Sequence, residues 1–112
     1  LGGVNPRLHH GTLNAMFLPA VVRFNAQAES VQKERRLERM AHAMGLASST
    51  DIPEAIRDMN ARLGLPTGLA AMGVTPDVFD DVIKGAMADH CHKTNPRVAT
   101  PEQYREMLHQ SL

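Results

Sequence analysis

His10 and Gly11 stand at the mouth of the most apolar stretch of the chain, which runs through Leu13, Met16, Phe17, Ala20, Val21, Val22 and Phe24. An imidazole at the entry of such a helix is placed to ligate a metal at the edge of a dry cavity. A metal site needs three or four ligands, and the adjacent His9 does not obviously supply a second, because neighbouring rings diverge. His90 and His92 have the alternate spacing that chelates in a strand, yet they fall at a predicted helix end, where a histidine also complements the negative end of the dipole. His42 and His109 sit on amphipathic segments and suggest structural roles. Cys91 is the single cysteine. No Ser/His/Asp or Cys/His pattern surrounds it, so a pocket-lining or buried thiol is expected rather than a nucleophile. Gly2 and Gly3 follow no strand, so the chain holds no phosphate-binding glycine loop. No catalytic or cofactor-binding residue is therefore assigned from spacing.

The elements that position these residues read as helices throughout. After Gly11 the helical spacing of Leu13, Met16, Phe17, Ala20 and Phe24, with Val21 and Val22 beside them, predicts a helix with no face left for solvent. Pro19 is expected to kink or divide it. A second helix is predicted from Ser30 to Met44, with Leu37, Met40, Ala41 and Met44 inward and Gly45 as terminator. A third starts at Asp51 and Glu54, which suggest a capping box, carries Ile52, Ala55, Ile56, Met59 and Leu63 on its apolar face, and ends at Gly64. At most one helical turn, near Leu69–Met72, is expected before Gly73. Thr75-Pro76-Asp77 opens a fourth helix running to Asp89 or His90, with Phe79, Val82, Ile83 and Ala86 inward. Cys91 to Ala99 reads as a loop. Thr100-Pro101-Glu102-Gln103 starts a last helix docked by Tyr104, Met107 and Leu108. The expected fold is all-α, an array of five to six helices in one domain over residues 1–112.

Composition narrows the function classes. The 112 residues are 43% hydrophobic and 21% charged, and twelve Lys and Arg balance twelve Asp and Glu. No basic block marks a nucleic-acid partner. The run Ala15–Val22 falls well short of the roughly 20 apolar residues of a membrane span. With one cysteine and no signal pattern at Leu1, a cytoplasmic setting is the expectation.

Five stretches together resemble a known family: Leu1-Gly2-Gly3, His10-Gly11 through Leu18-Pro19 to Phe24-Asn25, Gly64-Leu65-Pro66, Gly73-Val74, and Asn95-Pro96-Arg97 followed by Thr100. They are similar to the carboxy-terminal helical domain of iron-containing alcohol dehydrogenases, over essentially the whole chain. The Leu-Pro to Phe-Asn helix and the Asn-Pro-Arg ending set it apart from the glycerol dehydrogenase and dehydroquinate synthase branch. The resemblance implies a parent protein with an amino-terminal domain binding NAD or NADP. It also implies a divalent metal, Fe2+ or Zn2+, held by one Asp and three His. The last of these is the histidine before the glycine, which falls on His10. One extra residue between Leu1 and His10 leaves His9 as the alternative, and the glycine neighbour favours His10. The other three ligands and a proton-transfer histidine would lie upstream.

The implied reaction is hydride transfer between a small alcohol, aldehyde or hydroxy acid and NAD(P), with Cys91 and His92 lining the substrate pocket. The parent is expected to be a homo-oligomer. The 112 residues alone read as an inactive fragment, and a free-standing helical interaction module without catalysis is the alternative.

Overall fold

The structure, a computed structural model, describes all 112 residues and contains no strand. Six helices follow in order: α1 His10–Asn25, α2 Glu29–Lys33, α3 Arg36–Ala43, α4 Ile52–Arg62, α5 Phe79–Ala88 and α6 Pro101–Gln110. Single 3-10 turns at Ser49–Asp51, Ala70–Met72, Pro76–Val78 and His90–Lys93 connect them. The all-α array is the predicted fold class, and no helix is long and apolar enough to cross a membrane.

Helix α1 is the hub because it contributes to all three apolar clusters. Leu13 and Met16 meet Leu69, Val74, Phe79, Ile83 and Leu108, of which Leu69 and Phe79 are fully buried. Ala20 and Phe24 meet Ala99 and Met107 from the α6 side. Val22 meets Ala41, Ile52 and Ile56 from α3 and α4. The full enclosure that the sequence suggested is not reached: Leu18 is 45% exposed beside the exposed Asn14, and Arg23 reaches solvent on the opposite side of the helix.

Pro19 neither ends nor divides α1. It has no N–H to give to the carbonyl of Ala15, so that oxygen would be left without its helical partner. Asn60 on α4 supplies the replacement, its Nδ2 donating to the Ala15 oxygen at 3.0 Å. Asn60 is itself buried, and no buried side-chain polar atom of the chain lacks a partner. The helix therefore tolerates its proline because a second helix completes its hydrogen bonding.

The predicted second helix is two pieces. Arg35 takes a left-handed conformation (φ 51°) between α2 and α3. Ten residues of straight helix would turn Ala41 about 80° away from the face of Val31. Both are buried in the structure, and the break re-aims α3 so that Ala41 reaches Val22 and Ile52. Met40 and Met44, expected inside, are left 43% and 42% exposed. Gly45 does end α3, with φ 72° and the Leu46 N–H bonded to the Ala41 carbonyl.

Two other expectations change in detail. Asp51 has helical dihedrals and makes no cap, because the chain starts its first turn earlier, at the extended Ser48, whose hydroxyl accepts from the Thr50 N–H. Glu54 turns instead to Arg57 at 3.2 Å. On α4 only Ile52 and Ile56 of the apolar face are buried, while Met59 and Leu63 lie 42% and 68% exposed. Helix α6 begins as predicted: the Thr100 hydroxyl accepts from the Gln103 N–H, and the Gln103 side chain accepts from the Thr100 N–H. Its far end is tied to the turn before Ala70–Met72 by Leu69 N–H to Ser111 O at 2.8 Å. Gly68 is required there, since a Cβ would overlap the Leu112 carbonyl.

Replacing Asn60 by Ala strands the Ala15 carbonyl and is expected to cost about 1–3 kcal/mol of stability. Urea unfolding of the variant checks this, and an unchanged midpoint would show that the proline needs no outside partner.

Candidate metal ligand and substrate cleft

The two histidines at the start of α1 have separate tasks. His9 is the N-cap: its Nδ1 accepts from the Thr12 N–H at 3.3 Å and lies 3.1 Å from the Thr12 hydroxyl. An acceptor Nδ1 fixes the tautomer with hydrogen on Nε2, which leaves His9 no free lone pair. Gly11 makes room for the folded-back ring, since a Cβ there would come within 3.2 Å of the His9 Cε1. His10 occupies the first helical position, exposed, with Nε2 3.1 Å from the Asn14 Nδ2. The amide N–H donates, so Nε2 carries a lone pair held by one exchangeable partner.

That arrangement fits a single metal ligand. The chain gathers no second donor beside His10. The only group of three ligating side chains is Asp89, His90 and Cys91, all exposed and at the other end of the sequence.

The largest concavity, a cleft of about 770 Å3, lies between the Leu1–Val4 segment, the second half of α1, α5 and α6. Volumes of this order suit small-molecule sites. Val21, Val82, Ala86 and Met107 give it apolar walls, and Cys91, His92 and Tyr104 bring polar atoms to it. His10 is outside its lining, while Leu1, Gly3 and Val4, a few residues before His10, are part of it.

The turn carrying Cys91 and His92 is held from three directions. Asp89 leaves α5 in extended conformation and accepts from the Cys91 N–H at 2.7 Å. His92 Nδ1 lies 2.9 Å from the Tyr104 hydroxyl on α6. Downstream, Asn95 and Asn25 exchange side-chain amide hydrogen bonds at 2.7 and 3.1 Å, and Arg97 donates to the Phe24 carbonyl while its guanidinium rests 4.1 Å from the centre of the Phe24 ring. The 70-residue separation of Asn25 and Asn95 hid this contact from the sequence, although both lie in the stretches that carry the family resemblance. His90 and His92 do not act together. His90 projects into solvent beside Asp89 and the Cys91 sulfur, and His92 turns inward. His42 is exposed on α3, and His109 packs edge-on against Phe79.

Charge at the turn is set by Asp89. Hydrogen bonds from the backbone and side chain of Cys91 hold its carboxyl below the ordinary value, and the same contact raises the Cys91 thiol above its own. Cys91 is thus exposed but kept in its less reactive protonated form. Burial raises the Tyr104 phenol, with the Asp89 charge adding to the shift.

Residues 2–112 match the family described as Fe-containing alcohol dehydrogenase family, C-terminal. Among similar proteins, the 4-hydroxybutyrate dehydrogenase of Cupriavidus necator is 58% identical over 105 residues, covering 94% of this chain and 28% of that protein. The NAD-dependent methanol dehydrogenase of Bacillus methanolicus is 32% identical, covering 100% and 30%. The lactaldehyde reductase of Escherichia coli K12 is 32% identical, covering 89% and 27%. The chain spans less than a third of the length of these relatives. No solved structure matches it.

The Asp89→Asn variant removes the negative charge that opposes thiolate formation, so the pH profile of Cys91 alkylation by iodoacetamide is expected to move to lower pH. A profile unmoved or displaced upward would rule out Asp89 as the controlling group.

Proposed function

The chain belongs to the Fe-containing alcohol dehydrogenase family as its C-terminal domain, and on that premise we propose that it is the helical part of a longer metal-dependent oxidoreductase. That enzyme passes hydride between NAD or NADP and a small alcohol, aldehyde or hydroxy acid. The observation that carries the reading is the start of α1, where His9 closes the helix and His10 projects exposed, its Nε2 lone pair engaged only by the exposed Asn14 amide, a partner that a metal can displace. His10 is then the ligand and His9 the cap, which the sequence left open. The remaining donors and the nucleotide-binding domain belong to the rest of the enzyme, and the 112 residues alone are inert in hydride transfer.

When bound, the metal supplies Lewis-acid polarisation of the substrate oxygen and the nicotinamide accepts or returns the hydride. The chain itself contributes fixed surfaces. His10 presents a ring nitrogen from the first turn of a helix that is anchored by three apolar clusters. The apolar walls of the cleft, Val21, Val82, Ala86 and Met107, keep water from the carbon skeleton of the substrate. Cys91 and His92 line the substrate side, the thiol staying protonated beside Asp89. The 58% identity to a 4-hydroxybutyrate dehydrogenase supports a short hydroxy acid as the substrate class.

In the full-length protein, His10→Ala is expected to lower bound iron or zinc at least tenfold, and NAD(P)-dependent oxidation with it. His9→Ala should keep its metal and lose about 1 kcal/mol of stability through the cap. Metal analysis of both purified variants decides. Full metal content in His10→Ala would reject the ligand, and loss in His9→Ala alone would exchange the two roles.

A further inference from the structure

We propose that His92 and Tyr104 form a donor pair that receives the carboxylate of a short hydroxy acid in the cleft, and so set preference for acids over plain alcohols. The inference rests on the dehydrogenase reading and specifies which residues choose its substrate.

The polar groups of the cleft can be taken one at a time. Asn95 is spent: its amide nitrogen serves Asn25 and the Arg97 carbonyl, and its oxygen accepts from Asn25. Asp81 and Asp89 are exposed and offer only acceptor oxygens, and Asp89 is already bonded to the Cys91 N–H. The Cys91 thiol is a weak donor beside His90. His92 and Tyr104 remain, half-buried and 2.9 Å apart.

Their mutual hydrogen bond always leaves one donor over. If His92 Nδ1–H donates to the Tyr104 oxygen, the phenol O–H is free. If Tyr104 donates to Nδ1, the ring hydrogen is on Nε2 and is free instead. If the ring is protonated, both are available. Tyr104 keeps its proton because burial and Asp89 raise its phenol. The pair therefore presents hydrogen-bond donors, beside walls of Val21, Val82 and Met107 that suit a short methylene chain. A ligand with an apolar stem and a terminal acceptor matches that surface, and a carboxylate is the acceptor with two oxygens to share between the two residues.

The test uses the full-length protein and compares kcat/KM for a four-carbon ω-hydroxy acid with that for 1-butanol. Each single variant keeps one donor, so Tyr104→Phe should lower the acid value only about threefold. The double variant His92→Leu/Tyr104→Phe should lower it at least about tenfold, chiefly through KM, and lower the butanol value several-fold less, so that the acid-to-alcohol ratio falls. His92→Asn restores a side-chain N–H near Nδ1 and should keep the acid-to-alcohol ratio close to that of the parent, whatever its effect on the two values together. An unchanged acid-to-alcohol ratio in the double variant overturns the proposal, and so does an equal loss for both substrates, which would mark the pair as structural. A parent protein that oxidises neither substrate with NAD or NADP overturns the dehydrogenase reading itself.

Discussion

A helix that carries a proline in its middle and packs against three apolar clusters must find an outside donor for the carbonyl the proline abandons. Here that donor is Asn60, and the Asn60–Ala15 hydrogen bond fixes α4 in both height and rotation against α1. Apolar contact alone would not do this, because Val22 against Ile52 and Ile56 can slide by a methyl group at small cost, whereas a hydrogen bond to one carbonyl cannot. With α4 locked, the third apolar cluster is determined, and the left-handed Arg35 follows as the conformation that lets α3 join it.

The same helix joins the two regions that carry the candidate site residues. Its first residues are the His9 cap and the exposed His10, and its last are Phe24 and Asn25, which hold the loop following Cys91 and His92. The resemblance motifs, scattered in sequence, are consecutive in this mechanical sense. Asn25 answers Asn95, and Phe24 answers Arg97 through both its carbonyl and its ring. A cation over an aromatic face and an exchanged amide pair are directional contacts, so they locate the loop more narrowly than burial of Ala99 and Met107 would.

What could be read from the chain beforehand followed from local chemistry. The capped start at Thr100, the glycine stops at Gly45 and Gly64, and the apolar face of α5 all depend on residues within one or two turns of each other. The misreadings share one cause, which is tertiary. Met40, Met44, Met59 and Leu63 have helical spacing that mimics a buried stripe, but the Arg35 break turns α3, and α4 has only one side covered by α1. The division of labour between His9 and His10 was illegible for a different reason. Adjacent histidines look alike in sequence, and only the extended backbone at position 9 and the helical one at position 10 separate a capping ring from a projecting one.

That separation also sets how the His10 ring is presented at the N-terminus of α1. The unpaired N–H groups that would compete for the ring are reduced by one, because the Thr12 N–H is already taken by His9. Asn14, one turn along from His10, holds the Nε2 lone pair outward with a single amide hydrogen. A hydrogen bond of that kind is worth about 1 kcal/mol net, so the ring is oriented without being tied down. The cap at His9 and the tether at Asn14 thus orient His10 from both sides, the sequence His-His-Gly-Thr-Leu-Asn encoding cap, projecting ring, clearance and tether within six residues.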